Sequence, residues 1–218
     1  MGAKLFFRYS TVNSGKTIDL LKIAHNYEQQ GKRVLLGTSE KDCRNGEILP
    51  DAQKGEIYTR LGLIREGWLV ERVDLLDMAK KENPDCVLLD EAQFYPREKV
   101  ILLTRIVDEL DISVIAYGLK SDFQGNLFEG SNAFLVYADK SEEIKTVCQF
   151  CNKKATFNLR TENDIPTFKG SQIGIDSLNT EVQREKEIKH IPLCRKCYML
   201  CKISSTPSDL NIEEWLYS

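Results

Sequence analysis

Three groups of residues in this 218-residue chain are of types, and at spacings, that could do chemistry. Ser10 to Thr17 reads S-T-V-N-S-G-K-T. A glycine-lysine-threonine run between a strand and a helix can cradle phosphates: backbone N–H groups and the helix N-terminus face the anion, the lysine reaches the outer phosphates, and the hydroxyl binds Mg2+. Ser10, Asn13, Ser14, Gly15, Lys16 and Thr17 are therefore candidate nucleotide and Mg2+ ligands. Ser10 stands where the pattern has its first glycine, which a serine tolerates only at negative φ. Val87 to Glu91 is an apolar run ending in two carboxylates. At the carboxyl edge of a sheet, Asp90 would support Mg2+; Glu91, turned to the other side if the strand stays extended, would be free to act as a base. Finally, Cys148-Gln149-Phe150-Cys151 and Cys194-Arg195-Lys196-Cys197 make two CxxC pairs. Random placement of seven cysteines gives about 0.2 such pairs, so Cys148, Cys151, Cys194 and Cys197 read as ligands of a structural zinc. Either of the first two signals alone also fits an exposed turn or an ordinary strand end. Together they favour a nucleotide.

The elements that must position these groups follow from periodicity. Lys4 to Tyr9, Val34 to Leu36, Cys86 to Leu89 and Ser113 to Leu119 read as strands, and Ala133 to Ala138 as one more. Ile18, Leu21, Ala24 and Tyr27 recur at helical spacing up to Gly31; Val73 to Glu82 and Val100 to Leu110 read as further helices, with Val100, Leu103, Ile106 or Val107, and Leu110 inward. Continuous apolar strands alternating with helices predict an α/β fold over residues 1–141, a phosphate-loop NTPase-like parallel sheet flanked by helices. Glu40 to Tyr58 carries turn residues and reads as a long surface loop. From residue 142 to 201 short strand-like pieces (Ile144 to Val147, Ala155 to Leu159, Gln172 to Ile175) lie between the cysteine pairs, the pattern of a small zinc-ribbon and lid module whose metal substitutes for a large core. Asp176 to Lys189 reads as a loop or marginal helix, and 202–218 as a tail with a helical turn near Leu210 to Leu216.

Composition narrows the function classes. A net charge of −3 and a pI near 5.6 leave no global basic field for nucleic acid. Apolar runs such as Val100 to Leu103 fall far below the roughly 18 residues a membrane span needs, and the N-terminus lacks a signal-peptide pattern, so a cytoplasmic protein with no membrane partner is expected. Cys43, Cys86 and Cys201 remain outside the pairs, with Cys86 expected to pack into a strand.

Asp90-Glu91-Ala92-Gln93-Phe94, Tyr117 to Gly125, Leu127 to Ser131, Glu143 to Cys148 and Cys194 to Tyr198 together resemble the thymidine kinase family of bacteria and animal cytosol, in order, over about residues 3–175 and 190–198. The resemblance implies phosphoryl transfer from ATP to the 5′-hydroxyl of thymidine, with Glu91 as base and with the phosphate loop, Asp90 and Gln93 holding nucleotide and metal. It implies that Arg60, in Thr59-Arg60-Leu61-Gly62, steadies charge on the transferring group. Phe94, Leu119, Phe123 and Phe128 would wall the thymine, with Phe123 stacking on it, and Arg160 would lie near the substrate. Ile173, Ile175 and His190 fall on the family's lid, which closes over the nucleoside. Here Asp176-Ser177 follows Ile175 where the family has a glycine pair, and His190 takes a tyrosine's place. The family precedent adds a homotetramer and feedback inhibition by thymidine triphosphate. The competing reading is a phosphate-loop zinc-ribbon protein that binds nucleotide or nucleic acid without turnover. The joint presence of Lys16, Thr17, Asp90 and Glu91 weighs against it.

Overall fold

A computed structural model describes residues 2–42, 48–172 and 187–204. The chain divides into two compact units, one of residues 1–10, 14–120 and 127–144, the other of residues 11–13, 121–126 and 145–218. In the first, the chain runs β1 (Leu5–Ser10), α1 (Lys16–Gln29), β2 (Val34–Thr38), β3 (Lys54–Tyr58), β4 (Ile64–Leu69), α2 (Leu75–Glu82), β5 (Cys86–Leu89), α3 (Arg97–Leu110), β6 (Ser113–Leu119), α4 (Glu129–Tyr137) and β7 (Lys140–Glu143). The seven strands pair in the order β3-β4-β2-β5-β6-β1-β7. All pairings are parallel except β3 with β4, an antiparallel hairpin at one edge.

Strand alternation sorts the core into two layers. Cys86, Leu88, Ile115 and Tyr117 pack with Leu20, Leu21 and Ala24 of α1. Val87, Leu89, Val114, Ala116, Leu5 and Phe7 pack on the opposite face with residues of α2, α3 and α4, among them Leu75, Leu103 and Phe134. Because both faces are covered, β5 is buried at every position, which is why it reads as a continuous apolar run. Cys86 is fully buried as expected, and burial pushes its thiol up to about 12.

Several expectations are corrected. Ala133 to Ala138 is not a strand: all but its last residue, the C-cap Ala138, lies in α4, where Gly130, Ser131, Ala133 and Phe134 are buried while Val136 is exposed, a helical rather than an alternating pattern. Glu40 to Tyr58 is not all loop, since Lys54–Tyr58 forms β3 and buries Ile57 against the sheet. Its antiparallel partner β4 carries no clean alternation, so periodicity does not reveal it. Ile18 is exposed; Leu20 takes its place in the buried stripe of α1.

The second unit holds a three-stranded antiparallel sheet in the order β10-β8-β9, built from β8 (Phe157–Glu162), β9 (Ile165–Thr167) and β10 (Ile188–Leu193), followed by α5 (Arg195–Ser204). Its core is Cys148, Leu159, Leu193, Cys194 and Tyr198. Between Ile144 and Val147 only an isolated bridge, Val147 to Lys154, takes the place of the expected strand. Ile188 and Lys189, expected in a loop or marginal helix, belong to β10. Residues 173–186 and the tail from 205 on lie outside the described residues. Among the described residues no helix is long and apolar enough to cross a membrane.

Candidate active site and metal centre

In the first unit, β1 ends at Ser10 and α1 begins at Lys16. Ser10 is not among the positive-φ residues, so its side chain is accommodated, and its hydroxyl donates to the carbonyl of Ile144. Gly15 caps α1 at φ 81°, a left-handed conformation that suits glycine. The first helical N–H groups of α1 have no partner within the helix, which is what an anion site requires. Lys16 is buried and reaches back to the Ser14 hydroxyl at 3.3 Å.

From the sheet, Thr17 Oγ1 donates to Asp90 Oδ2 at 2.8 Å, bringing together two predicted residues 73 positions apart. Asp90 is buried at the end of β5. Glu91 does not continue the strand: its φ of 49° and ψ of 35° are left-handed, and it caps a 3₁₀ turn over Ala92–Phe94. The backbone therefore bends at Glu91 in place of the extended geometry expected there. The bend is closed by the fully buried Tyr95, whose hydroxyl donates to the carbonyl of Asp90 at 2.7 Å. Burial, the larger cause, and the nearby acids hold that phenol well above its ordinary value. Gln93 is buried, donating to Glu91 Oε2 at 2.6 Å and accepting from the N–H of Leu119 at 2.9 Å.

Phe94 meets Phe128 edge-on at 5.7 Å between ring centroids, and Leu119 is half-buried at the end of β6. Arg60 sits on the turn between β3 and β4, exposed; among the described residues it makes no ion pair and no hydrogen bond. Behind the loop, Arg8 on β1 donates to Asp19 of α1 at 3.0 Å and to the Tyr117 hydroxyl of β6 at 2.9 Å, while that hydroxyl donates to Asp19 at 2.8 Å. This triangle holds β1 and α1 in register on either side of the phosphate-loop sequence.

In the second unit, Asn13 is left-handed at φ 60°. The buried Asn158 accepts from the N–H of Val12 at 2.9 Å and donates to the carbonyl of Ser121 at 2.8 Å. Sequence reasoning missed Asn158, since one asparagine in a short strand has no spacing to mark it. Phe123 is buried, and the Arg160 guanidinium lies over its ring at 5.2 Å while pairing with Glu162 at 3.0 Å. His190 pairs in register with Arg160 across β10 and β8 and is exposed. Ile173 and Ile175 lie outside the described residues.

The ligand atoms of Cys148, Cys151, Cys194 and Cys197 all lie within 4.8 Å of one another. Cys151 Sγ is 3.6 Å from Cys194 Sγ and 3.8 Å from Cys197 Sγ. A tetrahedral zinc with sulfurs at about 2.3 Å spaces them about 3.8 Å apart, so the donor set fits that ion. Burial opposes ionisation of Cys148, but backbone N–H groups of Cys194, Phe150 and Cys151 outweigh it and hold the thiol below its ordinary value. Hydrogen bonding to Cys194 pushes Cys197 up. Without a cation, four such close sulfurs cannot all ionise.

A family model for thymidine kinase matches residues 3–198. The chain belongs to the thymidine kinase family. It is 47% identical over 199 residues to the thymidine kinase of Streptococcus pyogenes serotype M6, covering 90% of this chain and 97% of that one. The thymidine kinase of Streptococcus gordonii is likewise 47% identical, with 90% and 96% covered. That of Streptococcus agalactiae serotype Ia is 46% identical, with 90% and 97% covered. Within this thymidine kinase scaffold, the acid pair Asp90-Glu91 directly follows β5, and the four clustered thiols lie in the second unit.

Proposed function

We propose that this enzyme transfers the terminal phosphoryl group of ATP to the 5′-hydroxyl of thymidine, with Glu91 accepting the hydroxyl proton. The observation that carries the assignment of roles is the bend at Glu91. Asp90 is hydrogen-bonded to Thr17 at the phosphate loop, while at the bend the next carboxylate accepts from Gln93, so one acid is engaged with the metal-binding hydroxyl and the other is assigned to the acceptor. A base next to the attacking oxygen contributes about 10²–10⁴-fold.

Thr17 and Asp90 supply hard oxygen donors and would hold Mg2+, which when bound offsets charge on the phosphates. Ser10, Asn13, Ser14, Gly15 and Lys16 form the phosphate cradle. The exposed position of Arg60 on a hairpin turn suits a guanidinium that engages only when substrate is present, steadying charge on the group in transfer. Phe94, Leu119 and Phe128 offer apolar walls to the base, and Phe123, Arg160, Ile173, Ile175 and His190 complete the reading as acceptor-side residues. The four cysteines would hold one structural zinc. A homotetramer, feedback inhibition by thymidine triphosphate and a cytoplasmic location belong to the same proposal by family analogy.

The test is kcat/KM for thymidine, deoxyuridine, deoxycytidine and deoxyguanosine in a coupled ATP-consumption assay. Thymidine is expected first, because small apolar walls favour a small pyrimidine. Deoxycytidine or a purine ahead of thymidine would reject the acceptor assignment and leave the phosphoryl chemistry standing.

A further inference from the structure

Gln93 lies in the run that the family resemblance assigns to nucleotide and metal, yet both polar atoms of its amide are already engaged inside the protein. The geometry points to Gln93 as a positioning residue, one that fixes the Glu91 carboxylate in a single orientation for its work on the acceptor. The inference rests on Glu91 being the base.

The orientation of the amide is dictated by β6. A backbone N–H can only donate, and the N–H of Leu119 meets the Gln93 side chain at 2.9 Å, so the oxygen Oε1 must face the strand. The Nε2 group is thereby turned the other way, where it donates to Glu91 Oε2 at 2.6 Å. Both ends of this link are anchored. Leu119 ends a buried strand, and the backbone of Glu91 is locked by the 3₁₀ turn, in which Phe94 N–H donates to the Glu91 carbonyl at 3.1 Å and Tyr95 N–H to that of Ala92 at 3.2 Å.

Two glycines make room for the device. A Cβ on Gly118 would lie 2.9 Å from both the backbone nitrogen and Oε1 of Gln93. A Cβ on Gly130 would lie 2.4 Å from the Ala92 carbonyl oxygen and 2.8 Å from those of Gln93 and Tyr95. Most of these neighbours are backbone atoms of a closed turn, so neither clash is relieved by rotating a side chain. A side chain serving only to contact bound nucleotide has no use for a buried link between a strand end and a neighbouring carboxylate. A side chain that aims that carboxylate does.

The test is a double-mutant cycle in the full-length enzyme, with Gln93→Glu and Gln93→Leu each made alone and in the Glu91→Gln background. Gln93→Glu keeps the shape and the acceptor for Leu119 but turns a donor toward Glu91 into a second carboxylate. Each single change at Gln93 is expected to lower kcat roughly 10- to 100-fold, as a misplaced catalytic group does, with KM for ATP and thymidine within about three-fold. Added to Glu91→Gln, either should cost less than about three-fold more, because a residue acting through that carboxylate has nothing left to position. Equal losses in both backgrounds overturn the inference, as does a raised KM for ATP with kcat kept, which would make Gln93 a nucleotide ligand. Should Gln93→Leu unfold the chain by orphaning the Leu119 N–H, Gln93→Glu still decides, provided a thermal melt shows it folded. A Glu91→Gln enzyme with unimpaired kcat removes the base assignment itself, a result read independently of any change at Gln93.

Discussion

In the α/β unit the polar residues of interest stand at strand ends above two extensive layers of buried side chains, whereas the second unit centres on five buried residues, two of them cysteines. The first unit can bend Glu91 into a left-handed conformation and bury Asp90, Gln93 and Lys16, because hydrophobic burial of whole strands and helices offsets such local costs. The second has no comparable reserve, and its core instead gathers four thiols within 4.8 Å of one another, a donor set that fits zinc. One region thus uses its fold to hold polar groups at strand ends; the other gathers candidate metal ligands into its small core.

Changes that attack each device should separate the two. The largest effect expected is on turnover: Glu91→Gln should lower kcat by about 10²–10⁴-fold while ATP binding and the thermal midpoint stay near wild type, as checked by steady-state kinetics and calorimetry. Next, elemental analysis should find about one zinc per chain. Chelation, or Cys151→Ser, should unfold the second unit while the far-ultraviolet signature of the α/β unit persists, since structural zinc supplies about 10–16 kcal/mol of binding free energy to such modules. Loss of both units together on chelation would show that the contrast is mistaken.

A smaller effect is expected from Asp19. Burial pushes its carboxyl up, but hydrogen bonds from Lys22 and Tyr117 and the charges of Lys22 and Arg8 outweigh this and hold it below the usual carboxylate range. A depressed folded value stabilises the protein above the unfolded value near pH 4 and loses that contribution as pH falls through the folded value. Asp19→Asn should therefore lower the melting temperature by a few degrees at about pH 7, with the gap to wild type narrowing toward about pH 3, in melts taken across that range. The smallest effect belongs to the pair of Glu28 and Arg65, 2.7 Å apart but well exposed. Removing it by Glu28→Gln should change stability by less than about 1 kcal/mol in denaturant titration.

The sequence told most where one physical cause dominated. Cys86 to Leu89 is buried on both faces and so shows itself as an apolar run; the cysteine pairs show themselves by spacing. Legibility failed where close approach, not hydrophobicity, chose the residue. Near the start of α4, carbonyls of the neighbouring turn leave no room for a Cβ at Gly130, so the helix opens on a poor helix former and the apolar stretch after it imitates a strand. Gly55 is among the turn residues of the Glu40 to Tyr58 stretch expected as a loop, yet it lies in β3, where a Cβ would meet Leu69. The motifs that carry the family resemblance are legible in the sequence, but the reach of Gln93 to β6 and the pairing of Asn158 with Val12 depend on partners distant in sequence, and no local pattern encodes them.

The place of β1 in the sheet also bears on how the enzyme is made. This strand precedes the other strands of its sheet in the chain yet lies between β6 and β7, with Leu5 registered on Val114 and Phe6 on Lys140. A ribosome therefore releases the phosphate-loop sequence long before either neighbour of that strand exists, and at about 5–20 residues per second the wait lasts several seconds. During that interval Leu5, Phe6 and Phe7 are an unpaired apolar edge on a nascent chain, the kind of segment that holdase chaperones shield and that associates wrongly when they are scarce. Arrest of translation before Ser113 should leave a chain with its phosphate-loop residues intact and no strand to set them against.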